Sequence, residues 1–216
     1  MTQSLPVIAI DGPAAAGKGT LARRLAEHME YAYLDTGALY RGVALLVVQN
    51  GGDPSNPDQA LSAARALDPT AIDGKAIRTT EIGAAAAKVA ALAGVRSEIL
   101  DLQRRFAASP PGDRKGSVLD GRDIGTVVCP DADHKIFVTA SAEIRAHRRW
   151  LELREKNPQL AESQVLTDLR ERDRLDAERP IAPLKPAEDA LLLDTTELAI
   201  EEAFETALAL ITEQKA

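Results

Sequence analysis

Nine residues, Gly12-Pro13-Ala14-Ala15-Ala16-Gly17-Lys18-Gly19-Thr20, stand between an apolar run, Pro6 to Ile10, and a stretch in which Leu21, Leu25 and Met29 recur every four residues. The run reads as a strand and the four-residue recurrence as one buried stripe of a helix, so the loop joins a strand to a helix N-terminus. Glycine lets such a loop wrap an anion, its N–H groups point inward, and the helix end adds a positive dipole. Lys18 is placed to reach terminal phosphates, and the Thr20 hydroxyl to reach magnesium. The usual phosphate-loop pattern has Ser or Thr directly after the lysine; here Gly19 intervenes.

Further apolar runs, Tyr31 to Leu34, Val118-Leu119, Lys135 to Thr139 and Ala190 to Leu193, alternate with helical patterns. Strands separated by helices predict a parallel sheet. Ile200, Ala203, Phe204, Ala207, Leu208 and Ile211 predict a closing amphipathic helix. Two stretches break the rhythm. Residues 42–94 are rich in Ala, Gly and Asp and read as an inserted subdomain. Residues 150–183 are crowded with charge and end at Pro180 and Pro183, which disfavour helix at the residue before each; they suit a mobile cover or a plain surface hairpin.

Composition excludes some partners. A formal charge of -7 argues against nucleic acid, whose binding needs a broad basic surface. No apolar run approaches the roughly 20 residues that span a bilayer, and Met1 to Pro6 lacks a signal-like pattern. A single cysteine, Cys129, leaves no intrachain disulfide, which fits the cytoplasm.

Ser117-Val118-Leu119-Asp120 resembles the strand that ends in an acid and reaches magnesium through water in phosphate-loop enzymes. Three more segments carry the argument further: Leu34-Asp35-Thr36-Gly37-Ala38-Leu39-Tyr40-Arg41, Asp120-Gly121-Arg122-Asp123-Ile124-Gly125-Thr126, and Ala182-Pro183-Leu184-Lys185-Pro186-Ala187-Glu188-Asp189-Ala190. With the phosphate loop, they closely resemble the bacterial cytidylate kinases, in order over nearly the whole chain and most weakly between Gly42 and Gly74.

The resemblance implies an α/β fold of the nucleoside monophosphate kinase type, with a five-stranded parallel sheet flanked by helices. It implies one kinase domain over 1–216, with a core of 1–41, 97–149 and 181–216, an acceptor subdomain at 42–96 and a lid at 150–180. The implied reaction is ATP-dependent phosphorylation of CMP, and of dCMP, by a monomeric enzyme with magnesium. Lys18, Asp120, Arg122, Arg172 and Arg179 would be catalytic, and residues 12–20 would bind ATP. Arg41 and Arg122 would hold the acceptor's phosphate, while Thr36, Arg96 and Asp123 would line the cytosine pocket. Arg172 and Asp176 would reach the acceptor's phosphate and sugar, Thr20 and Asp120 would serve the metal, and Asp194-Thr195-Thr196 would lie on the adenosine side.

Residue chemistry agrees with these roles. Arginine's planar fork fits a phosphate dianion, and an Asp can accept from cytosine's exocyclic amine, which uracil lacks. The plainer alternative for Arg122 and Asp123 is a surface ion pair. Arg172, Asp176 and Arg179 stand at i, i+4 and i+7, on one face if helical, with the acid between two arginines. Residues 141–180 hold eight Arg and one Lys against nine acids, a balance that also suits a solvated salt-bridged helix.

Two positions depart from the family pattern: Ala87 where a serine is usual, and Leu175 where an arginine often precedes Asp176, with Arg174 a candidate substitute. The short 53–78 segment predicts a mainly helical subdomain. A kinase of the same fold acting on UMP or another small acceptor remains a rival. A nucleotide-dependent switch protein would need a guanine-reading Asn-Lys-x-Asp segment, and none occurs.

Overall fold

The computed structural model describes residues 5–155 and 157–213. Its contacts divide the chain into two compact units, Met1–Leu34 with Pro110–Ala216, and Asp35–Ser109.

The first unit is built on a parallel sheet. Strands β1 (Val7–Asp11), β2 (Ala32–Asp35), β3 (Ser117–Gly121), β4 (His134–Thr139) and β5 (Leu191–Asp194) are ordered β2-β3-β1-β4-β5. β1 is central, with Ile10 opposite Asp120 on β3 and Ile136 on β4. Ile8, Ala9 and Ile10 are all but fully buried, as a strand covered on both faces requires. Helix α1 (Lys18–Met29) lays Leu21, Ala22 and Leu25 against this strand, and α8 (Ile200–Glu213) adds Ala207 and Ile211 to the same core. Each fully buried Ile or Leu contributes roughly 1.5–3 kcal/mol. The expected stripe of α8 is correct from Ala203 onward, but Ile200 is exposed, because it opens the helix beyond the edge of the core.

Helices α6 (Ala142–Arg154) and α7 (Glu162–Glu178) pack on each other through Ala146, Val165 and Leu169. The helical hairpin therefore starts earlier than the charged stretch that began at Trp150. Ser141 caps α6 by accepting from the Ile144 N–H.

The second unit is helical throughout its described turns: α2 (Thr36–Gln49), α3 (Pro57–Arg65), α4 (Thr80–Ala90) and α5 (Ala93–Ala108), with two short 3-10 turns. It is wider than the 42–94 stretch that composition marked, because Asp35 caps α2 through the Ala38 N–H at 3.0 Å and α5 continues unbroken to Ala108. Asn56 and Thr79 cap α3 and α4 in the same way, with Pro57 at the first helical position of α3. Among the described residues, no helix is long and apolar enough to cross a membrane.

Two glycines separate backbone demand from permissiveness. At Gly12, φ is 146° and an added Cβ would lie 1.9 Å from the Val138 carbonyl oxygen, so no side chain fits. Gly83, inside α4, has no atom within 4 Å of that position. Gly12→Ala is expected to cost more than about 2 kcal/mol in denaturant unfolding, whereas Gly83→Ala should stabilise by up to about 1 kcal/mol. Equal effects at the two positions would contradict this account of the loop.

Candidate active site

The loop between β1 and α1 carries its strain in three residues with positive φ: Gly12, Ala15 at 60° and Gly17 at 88°. Left-handed turns here point successive N–H groups to one side, which forces the carbonyls outward. Those carbonyls are held. Lys18 Nζ donates to the Pro13 oxygen at 2.9 Å, Arg145 Nη1 to the Ala14 oxygen at 3.3 Å, and Thr195 Oγ1 to the Ala16 oxygen at 3.2 Å. Thr195 in turn accepts from Arg148 Nη1 at 3.1 Å. The loop's carbonyls are thus held by side chains from the start of α1, from α6 and from the end of β5.

Acids and bases gather at the carboxyl ends of the central strands, where parallel sheets bind ligands. Asp120, at 8% exposure, accepts from the Tyr33 hydroxyl at 2.8 Å, and its other oxygen lies 3.8 Å from where a Gly19 Cβ would sit. Thr20 is exposed on the first turn of α1. Burial first, then repulsion by Arg122 and Arg172, hold the Lys18 ammonium down to about 7, against the attraction of Asp120 and Asp11. These groups therefore sense one another across a small space.

After β3 the chain enters a π-type turn, Ile124–Val128, in which Cys129 N–H reaches back to the Ile124 oxygen. Such wide turns are frequent at functional sites. This one is pinned by Asp11, whose two carboxylate oxygens accept from the Ile124 and Gly125 N–H groups, each at 2.8 Å. Burial pushes Asp11 up to about 6, opposed by those two amides. Arg122 and Asp123 project from the start of the pinned segment.

Both meet the second half of the helical hairpin. Arg122 Nε donates to Asp176 Oδ2 at 2.8 Å, and Arg179 Nη2 stands 3.6 Å from Asp123 Oδ2. This corrects the expectation that Asp176 lies between Arg172 and Arg179 on one helical face. Helix α7 ends at Glu178 and Arg179 is extended, at φ -60° and ψ 137°, because Pro180 follows it. Arg172 is exposed on α7. Arg174 does not replace the arginine missing at Leu175, since Glu171 and Glu178 hold it in exposed pairs.

The remaining candidates lie on the helical unit. Thr36 opens α2 and is buried, Arg41 follows on the same helix, and Arg96 in α5 directs Nη1 toward the Ala90 oxygen at 3.5 Å. Ala87, on α4, is exposed. On the sheet unit, Asp194 accepts from the Thr196 N–H at 2.8 Å, while Thr196 Oγ1 accepts from the Ser141 N–H at 2.9 Å.

A sequence model of the cytidylate kinase family matches residues 8–213. The chain belongs to the cytidylate kinase family. It is 54% identical to the cytidylate kinase of Rhodospirillum rubrum over 205 residues, 95% of this chain and 96% of the relative. It is 55% identical to that of Paramagnetospirillum magneticum over 205 residues, 95% of this chain and 97% of the relative. Among solved structures, an uncharacterized protein from Eubacterium ventriosum matches with TM-score 0.55 at 14% identity, over 97% of this chain and 99% of that one. TT1252 from Thermus thermophilus matches with TM-score 0.52 at 18% identity, over 99% and 100%. At such identities these two likenesses show the fold alone.

Within this cytidylate kinase fold, Asp11, Tyr33, Arg145 and Arg148 shape the site though the sequence did not mark them for catalysis or binding. Asp11 carried a local signal, an acid ending a strand directly before Gly12. The others act across long sequence separations.

Lys18 gives a pH test. Its folded value of about 7 lies below the unfolded 10.5, so between those limits the unfolded chain holds more protons and stability rises with pH. A polyphosphate at the loop reverses the shift. Binding of a non-hydrolysable ATP analogue at about pH 8 should therefore take up close to one proton. Calorimetry in buffers of different ionisation enthalpy reads this directly, and Lys18→Met should abolish it. A heat independent of buffer would remove Lys18 from phosphate contact.

Proposed function

We propose that the protein transfers the γ-phosphoryl group of ATP to CMP, and also to dCMP, as a cytoplasmic monomer. The observation that carries this is the pairing of a fixed amide cradle with arginines, Arg122 and Arg179, held by carboxylates that phosphates can displace.

The donor's phosphates would lie on residues 12–20 with Lys18 at the terminal pair. Arg41 and Arg122 would hold the acceptor's phosphate, Thr36, Arg96 and Asp123 the cytosine, and Arg172 and Asp176 the acceptor's phosphate and sugar. Asp123 can accept from the exocyclic amine, while exposed Ala87 offers no hydroxyl to the base. An oxygen of the CMP phosphate attacks the γ-phosphorus in line as the bond to the ADP oxygen breaks, and ADP leaves with that electron pair. Positioning and charge neutralisation suffice, so no histidine base is needed. Arg172 and Arg179, from α7 and its end, would neutralise charge on the transferring group.

Magnesium fits this arrangement. The substrate's phosphates would supply most of its ligands. Thr20 and, through water, Asp120 would complete them, as magnesium keeps part of its water shell. Asp11 serves the backbone instead, each of its oxygens accepting from an amide. When bound, the metal supplies neutralisation of phosphate charge.

Steady-state assays with CMP, dCMP, UMP and AMP should show CMP and dCMP preferred; a clear preference for UMP would overturn the cytosine assignment. Lys18→Ala should abolish transfer with the fold retained. Arg122→Ala should raise KM for CMP about 10- to 100-fold, the scale of a lost charge-assisted bond. An effect confined to ATP would place Arg122 on the donor side.

A further inference from the structure

Arg145 is unusual for an arginine: its side chain is 7% exposed, yet it sits on a helix of otherwise solvated charge. Three different parts of the sheet unit satisfy its fork. Nε donates to the Ala140 oxygen just past β4 at 2.8 Å, and Nη1 serves both the Ala14 oxygen of the phosphate loop at 3.3 Å and Asp173 Oδ2 on α7 at 2.7 Å. The other Asp173 oxygen is buried and has no hydrogen-bond partner among the described residues, so this carboxylate depends on Arg145. Packing repeats the connection: Ala14 and Ala15 of the loop lie against the cluster of Ala146, Val165 and Leu169 that joins α6 to α7.

From this geometry we infer that Arg145 and Asp173 are positioning residues that lock the phosphate loop and helix α7 to one another. Resting on the kinase reading above, the inference gives the pair two tasks. On the loop side, drawing the Ala14 carbonyl outward keeps the adjoining peptide N–H groups aimed at the donor's phosphates. On the helix side, Asp173 directly follows Arg172, so anchoring its carboxylate sets where Arg172 stands. A guanidinium is suited to this joint because its planar fork can meet three acceptors at once, which an ammonium on a flexible stem does not do with the same geometry. Neither residue touches substrate in this account. Breaking a buried pair leaves an uncompensated charge, so each residue needs the other.

The test uses the full chain with Arg145→Lys, Asp173→Asn and the double variant. Asp173→Asn preserves size and should fold even if Arg145→Lys does not. Calorimetric titration with ADP and steady-state kinetics with ATP and CMP are measured on the folded proteins, alongside melting temperature. The expected result for each single variant is an ADP affinity weakened about tenfold, with kcat lowered by at least as much. The double variant should be no worse than the poorer single one, because the two residues act as one unit. Asp173→Asn alone decides the matter if the lysine variants do not fold. A lowered melting temperature with ADP affinity and kcat within about twofold of the parent would show a merely structural pair and overturn the inference. So would fully additive losses. If the parent chain binds ADP but phosphorylates no CMP, the kinase reading fails while the ADP arm still judges the joint.

Discussion

Burying a cation at the ends of a parallel sheet beside other cations costs free energy, and that cost is the constraint on which this site is organised. Lys18 is buried, and Arg122 and Arg172 act on it from nearby, which is why its ammonium is held down to about 7. The fold tolerates such crowding by supplying carboxylates: Asp120 near the loop, Asp176 on Arg122 and Asp123 on Arg179. Phosphates, with more charge and better-placed oxygens, are the natural replacement for these acids. The acidic balance of the whole chain therefore conceals a local cationic site.

That site depends on backbone placed by remote side chains. Asp11 spans 113 positions to hold the Ile124 N–H, and Thr195 spans 179 to hold the Ala16 carbonyl. Gly12 allows the loop to pass against the Val138 carbonyl, which no residue with a Cβ could do. Loop, π-type turn and β5 end are in this way fixed relative to the central strand β1. Catalysis by positioning needs that rigidity, because the account contains no general base to compensate for misalignment.

Local features of the sequence predicted the elements well where pattern and burial coincide. The run from Pro6 gave β1 to within one residue, and Leu21 and Leu25 are the buried stripe of α1. The helical character of the segment after Asp53 also followed from its shortness and composition. The one-face reading of Arg172, Asp176 and Arg179 held only for a helical segment, and Pro180, which disfavours helix at the residue before it, leaves Arg179 extended beyond the end of α7. The pairing of Arg122 with Asp176, 54 residues apart, and of Arg145 with Asp173 follow from tertiary packing and have no local signature. Lys18 stood out through local glycine spacing, whereas Arg122 and Asp123 came from the family resemblance, and they pair with Asp176 and Arg179 rather than with each other.

The proposed site works by an exchange of partners, carboxylate for phosphate, at Arg122 and Arg179. A crystal structure with ADP and CMP bound together tests it most directly. In it, Arg122 Nε should have left Asp176 for an oxygen of the CMP phosphate, with the ADP phosphates on the amides of residues 12–20. A complex in which the Arg122–Asp176 bond persists while the CMP phosphate lies away from both Arg41 and Arg122 would contradict it.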